Sequence, residues 1–294
     1  MSRALRGLGA GVLAAVLAAR AGTAQSQYSR DQAQQLINTK DWNRVLAYGQ
    51  AWTRAEPQNS DAWFLVGRAY GSKYYHIGLE RPADAAPAFE RAAALKPEWP
   101  DGWNALAVIQ QELGQWDRSA ASLERAVKLA PERTKYWDFL CASYIHLHRW
   151  DQATRATESL ARQARTSADW FMVGTDYYAI APYYEPTASY QQSKGAFTRV
   201  VQLDPRNGPA WTNLGTTEQA LGNRQAAFED YAKGARFNDP GGARNYDALQ
   251  KDIQACMILR QNFAHRTEAS GMELVSYNRR CGAITGEITL ITTP

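Results

Sequence analysis

The sequence predicts an all-α solenoid: about six helix–turn–helix units stacked in a row and closed by a C-terminal capping helix. Three observations carry this. Residues 103–131 read as an amphipathic helix pair: Trp103, Leu106, Ala107 and Gln110 share one face, and Gly114 supplies a turn. Ser119, Leu123 and Ala126 then share a second face, and Pro131 cannot continue the helix. The same order of large, small, turn and proline positions returns along the chain, with leading tryptophans at 63, 103, 137, 170 and 211. Such a pair buries little alone, because its second apolar side can be covered only by a neighbouring copy.

Taken in order, the first unit (residues 28–57) is the most degraded. Gln32, Ala33 and Leu36 mark its first helix, the better-matched second helix runs from Trp42 to Trp52, and Pro57 ends it. A divergent end unit is expected of a cap, since one of its faces meets water. The second unit has Trp63, Val66, Gly67 and Tyr70, then Ala85, Phe89, Ala92 and Pro97. Its inter-helix segment, 71–84, carries six extra residues, with Tyr74, Tyr75 and His76 among them. The third unit is the pair already described. The fourth has Trp137, Leu140, Cys141, Tyr144, Trp150 and Ala153, with Arg165 where a closing proline is expected. The fifth has Trp170, Val173, Gly174, Tyr177, Phe197 and Pro205, with seven residues added between its helices. The sixth has Trp211, Leu214, Gly215, Gly222, Ala227, Tyr231 and Gly234 and runs out at Pro240.

The tryptophan spacings of 40, 34, 33 and 41 place the long units second and fifth, and Trp42 and Trp150 hold equivalent positions 108 apart. A duplicated three-unit block accounts for both facts. Beyond Pro240, Gly241-Gly242 is expected to loosen the chain. A helix over 245–268 then turns Leu249, Ile253, Met257 and Phe263 inward, and the Ile- and Thr-rich residues 283–294 form a short strand or lie extended.

These large, small and proline positions, in units of about 34 residues, resemble the tetratricopeptide repeat family. The resemblance implies a right-handed solenoid whose first helices line a concave face, with ligands touching the places on either side of the packing stripe. Those places hold, among others, Phe64, Arg68, Asn104, Lys135, Asp138, Phe171, Tyr178, Thr216 and Gln219. Phe64, Arg68, Lys135, Phe171 and Tyr178 are the expected partner contacts on that face. Arg68, Asn104 and Lys135 do not fall in the order with which some members clamp a peptide C-terminal carboxylate, so that ligand is not expected. In the two insertions Tyr74, Tyr75, Tyr183 and Tyr184 put amphipathic rings where the repeat does not need them. They either meet a partner or pack on the adjacent unit.

With 45% apolar and 21% charged residues, the chain has material for a long core and is neither disordered nor membrane-embedded in composition. Its net charge of +4 owes three basic residues to Arg3, Arg6 and Arg20; without them 30 bases face 29 acids. That balance offers no footprint for a nucleic acid. Residues 1–24 read as a cleavable secretory signal: a basic start, an apolar run over 7–19 too short to span a bilayer, and Gly22-Thr23-Ala24 before Gln25. The expected organisation is therefore signal 1–24, repeat solenoid 25–240, and capping helix with tail 241–294, in a periplasmic or otherwise exported protein. In an oxidising compartment Cys256 and Cys281, both outside the repeats, are expected to pair, while Cys141 occupies a small-residue core slot. His146 and His148 stand two apart near a helix end and diverge, so no metal site is expected. No glycine-rich phosphate loop or nucleophile setting occurs, so no catalytic residue and no cofactor are expected. The expected function is a non-catalytic protein-binding adaptor or scaffold of the bacterial cell envelope, its partner a protein or peptide. The alternative is a polysaccharide-binding accessory protein.

Overall fold

The computed structural model describes residues 27–72 and 76–264, together with Cys281. The proposed signal, Tyr74 and Tyr75, and the tail beyond Cys281 lie outside the described residues. The fold is all-α: thirteen helices and no strand occur among the described residues, which hold one isolated bridge, Ser72 to Ile77. They are α1 (Arg30–Asn38), α2 (Trp42–Ala55), α3 (Ser60–Tyr70), α4 (Pro82–Leu95), α5 (Pro100–Glu112), α6 (Trp116–Leu129), α7 (Thr134–His146), α8 (Trp150–Gln163), α9 (Ser167–Ile180), α10 (Pro186–Leu203), α11 (Gly208–Ala220), α12 (Arg224–Arg236) and α13 (Pro240–Ala264). The chain divides into two compact units, Met1–Pro97 and Glu98–Pro294.

In the first unit the hairpins α1/α2 and α3/α4 enclose Ala33, Val45, Trp52, Ala62, Leu65 and Ala69. Ser29 caps α1 by accepting from the Gln32 N–H, and its own N–H donates to the Tyr48 hydroxyl at 3.0 Å, fixing the start of the stack. The second unit holds the hairpins α5/α6, α7/α8, α9/α10 and α11/α12, with α13 packed on α12 and α11.

The recurrent residues have recurrent tasks. The indole Nε1 of Trp63, Trp137 and Trp211 donates to the carbonyl of the proline six residues before it, Pro57, Pro131 and Pro205, at 2.9 Å each time. The proline ends one unit, and the tryptophan of the next fastens its carbonyl. Where Arg165 replaces the proline, a capping box takes over: Thr166 and Asp169 accept from each other's backbone N–H at the start of α9. Burial works against the Asp169 carboxylate. The N–H groups of Arg165 and Thr166 and the hydroxyls of Thr134 and Thr166 nevertheless hold its pKa down at about 2.

The small-residue slots receive rings. A Cβ on Gly67, Gly174 or Gly215 would come within 2.8 Å of Phe89, Phe197 or Tyr231, each borne by the second helix of the same hairpin. Glycine is required there for close approach.

The two insertions differ in kind. In the second repeat the chain is pinched shut, with the N–H groups of Ser72 and Ile77 donating to each other's carbonyls at 2.8 and 3.1 Å. In the fifth, α9 ends on schedule at Ile180, a short turn follows, and α10 starts early with Pro186 in its first turn. It reaches 18 residues where α8 has 14. The added residues there extend a helix instead of forming the expected loop.

The C-terminal helix also corrects the expectation. It begins at Pro240 and runs through Gly241 and Gly242, because Asp239 caps it: Oδ2 accepts from the Gly242 N–H at 2.7 Å and from Thr212 Oγ1 at 2.6 Å. A Cβ on Gly242 would stand 2.7 Å from Thr212 Oγ1 and 2.8 Å from the Ala235 nitrogen, so these glycines bring α13 close to α11 and α12. Leu249 is buried and Ile253 packs beside it, but Met257, expected inside, is 54% exposed. No described helix is long and apolar enough to cross a membrane.

Candidate functional site: a polar cavity under the capping helix

Within the second unit, residues of α9, α11, α12 and α13 line an open pocket of about 450 Å³. Thr216, Gln219 and Ala220, spaced i, i+3, i+4, share one face of α11. Asn245, Ala248, Leu249 and Asp252, spaced i, i+3, i+4, i+7, share one face of α13. Tyr178 enters from the last turn of α9 and Tyr231 from α12. Tyr231 is the ring seated over Gly215, so packing has set its position before any ligand arrives. Its hydroxyl donates to Gln219 Oε1 at 2.9 Å, and the Thr216 hydroxyl donates to the Thr212 carbonyl at 2.9 Å. Tyr178 meets Tyr190 edge to face at 5.5 Å.

Burial raises the phenol pKa of both Tyr178 and Tyr231, so at neutral pH they present neutral rings and hydroxyls. Asp252 lies 3.8 Å from Arg224 Nη2, too long for a hydrogen bond. The lining thus combines two aromatic rings, amide and hydroxyl groups, and one carboxylate. It can hold a polar group of modest size against a π surface.

Of the partner contacts expected from the sequence, Tyr178 lines this pocket, Phe64, Arg68, Lys135, Phe171, Tyr183 and Tyr184 do not, and Tyr74 and Tyr75 lie outside the described residues. Phe64 meets Phe89 edge to face at 5.2 Å, and Phe171 meets Phe197 likewise at 5.6 Å, so both rings serve hairpin packing. Arg68 is half-buried, and burial lowers its basicity. Lys135 is exposed, with Nζ 5.3 Å from the Phe139 ring centroid. Tyr183 stacks on Trp150 of the preceding repeat at 4.6 Å and 5° while remaining 64% exposed, and Tyr184 is half-buried.

Thr216 and Gln219 stood among the places implied for the concave face. Asn245 and Asp252 did not, because α13 was read only as a lid with an apolar side. Their signal was Asn245 and Asp252 themselves, polar residues seven apart on the helix face that also carries Ala248 and the buried Leu249. Outside the cavity, Cys256 and Cys281 are buried, with Cα atoms 5.4 Å apart and their sulfurs joined at 2.04 Å.

No curated protein sequence matches the chain. Among solved structures, the C-terminal part of a TPR repeat-containing protein from Cytophaga hutchinsonii superposes with a TM-score of 0.57 at 15% identity, over 88% of this chain and 99% of that one. YrrB, described as a TPR protein with an unusual peptide-binding site, gives 0.52 at 13% identity, over 69% and 97%. The Cut9–Hcn1 hetero-tetramer of APC/C gives 0.51 at 16%, over 87% and 50%. At these identities the likeness is one of fold. Residues 76–142 match the tetratricopeptide repeat family model, and the same hairpin, with the same glycine–ring and tryptophan–proline contacts, recurs on either side of that stretch, so the chain is built from repeats similar to those of the tetratricopeptide family.

Proposed function

We propose that the protein is a non-catalytic adaptor or scaffold of the bacterial cell envelope, which holds an extended segment of a protein partner against the first-helix face of its repeats and anchors it in the cavity under α13. The observation that carries this reading is the cavity itself. Elsewhere the large side chains of the repeats are spent on one another, as Phe64 and Phe171 are. Here Tyr178, Gln219, Asn245 and Asp252 line open space. One similar structure, YrrB, is described as having an unusual peptide-binding site. The absence of a catalytic motif in the sequence supports a binding role. Export is part of the proposal; it rests on the character of residues 1–24 and on the juxtaposed pair Cys256 and Cys281.

The test is capture of partners from a periplasmic extract by immobilised wild type and by a Tyr178→Ala, Gln219→Ala double variant. A defined protein retained by the first and lost by the second, with helical circular dichroism unchanged, supports the reading. Identical capture by both, or retention of polysaccharide instead of protein, rejects it. N-terminal sequencing of exported material should begin near Gln25, and an intact Met1 or Ser2 would refute export with cleavage.

A further inference from the structure

The chemistry of the lining says which side chain the cavity is built for. Among the described residues Asp252 is the only acid that lines it, and neither lysine nor arginine does. On α11 Glu218, beside the lining residue Gln219 in sequence, is buried and already paired with Lys194 at 2.7 Å. On α12, Asp230 is paired with Lys233 at 3.1 Å. Arg224, at the start of α12, comes no nearer than 3.8 Å to Asp252, so among the described residues no hydrogen bond occupies that carboxylate. The half-buried Tyr178 ring borders the same space, and ring faces carry negative electrostatic potential; Tyr231, packed over Gly215, adds its edge and hydroxyl. Oxygens of Gln219, Asn245 and Thr216 add acceptors around the wall.

An anion entering here would meet the Asp252 carboxylate, whose one neighbouring cation among the described residues, Arg224, stays 3.8 Å away and makes no hydrogen bond to it. An apolar side chain would leave the carboxylate without a donor, and a neutral amide would supply a donor without charge. A planar cation satisfies everything at once: it stacks on a ring, forks onto the carboxylate, and still has donors for the amide oxygens. A lysine ammonium would supply charge but neither the fork nor the stack.

Resting on the peptide-binding reading above, we propose that the cavity bounded by Tyr178, Tyr231, Gln219, Asn245 and Asp252 is a specificity pocket for an arginine side chain of the bound segment. Arg224 then acts as a resident competitor, which weakens the hold on a free cation and favours a ligand that can bring its own ring and amide contacts.

The experiment titrates the full mature chain with four peptides, Gly-Ala-Xaa-Ala-Gly, where Xaa is Arg, Lys, Gln or Glu. Binding is followed by nuclear magnetic resonance shifts and by calorimetry. The arginine peptide should bind on the order of tenfold more tightly than the glutamine peptide, a ratio fitting one partly exposed cation–π contact together with its charge partner. Lysine should fall between them and glutamate should not bind. Asp252→Asn should abolish the preference for arginine over glutamine, whereas Arg224→Gln should widen it.

Equal affinity for the arginine and glutamine peptides, or a preference that survives Asp252→Asn, overturns the arginine assignment. If those equal affinities are both lost in Tyr178→Ala, the peptide reading stands while the pocket assignment falls. If none of the peptides binds and a neutral oligosaccharide shifts the same resonances, both fall.

Discussion

Asp176 sits inside the repeat stack, and among the described residues no cation pairs with it. Its Oδ2 accepts from Thr157 Oγ1 at 3.3 Å, the same hydroxyl lies 3.1 Å from Cys141 Sγ, and burial pushes the carboxyl pKa well up, with the nearby Asp138 adding to the rise. Asp138, half-buried on α7, is itself raised to about 6 by burial, partly offset by Lys135. A carboxyl whose folded pKa exceeds its unfolded value contributes stability that is fully present below the unfolded value. That contribution is lost as pH rises through the folded one. Between about pH 4 and pH 6 the wild type should therefore lose stability from Asp138, by at most ~3 kcal/mol for a shift of about two units. Asp138→Asn should melt like the wild type at pH 4 and higher than it at pH 7. A constant difference across that range would show that the carboxyl is not strained by burial. The sequence marked Asp138 as a groove position but gave no sign of Asp176, because burial of a first-helix acid depends on which neighbouring helix covers it.

The repeating element was legible almost throughout, since its signals are local. Glycine at the approach, aromatic ring opposite, and tryptophan and proline at the junction all lie within one hairpin length. Gly174→Leu or Gly215→Leu would drive a side chain into Phe197 or Tyr231, and overpacking of this kind costs about 1–3 kcal/mol. Gly195 provides the opposite case, being exposed in the middle of α10 with nothing within 4 Å of an added Cβ. Gly195→Ala should raise stability by about 0.5–1 kcal/mol through helix propensity alone. Chemical denaturation of both variants checks the sign of each change.

The insertions were less legible, because the number of added residues does not say whether they loop or extend a helix. In the fifth repeat they extend α10, and the tyrosine of the turn lies flat on Trp150. Tyr183→Ser should therefore destabilise by about 0.5–1.5 kcal/mol, as loss of a stacked pair does. An unchanged melting midpoint would return that ring to partner binding.

Over the whole molecule, the uneven part is the C-terminal end. Local periodicity could not show that α13 both closes the stack and walls a cavity, because that depends on Asp239 and the two glycines directing it onto α11 and α12. The two tasks divide along the helix. Its first half is held by Leu249 in the core, by Tyr246 stacked on Phe228 at 4.6 Å, and by Ile253, and this half supplies Asn245 and Asp252. Past Cys256 the helix exposes Met257 and Ile258, so packing does little to hold it there; the link to Cys281 is the tether.

Closing a loop between cysteines 25 positions apart is worth about 3 kcal/mol on the chain-entropy account. Cys256→Ser and Cys281→Ser should accordingly lower the melting midpoint to the same extent as each other and as reduction of the wild type. Because the lining residues precede the tether and are packed without it, affinity for the arginine peptide should stay within about twofold of the wild type, well inside the tenfold step of one lost contact. If affinity falls with the midpoint, the packing of Leu249 and Tyr246 is not enough to hold the wall, and the cysteine pair is then a support of the binding site and not only of the fold.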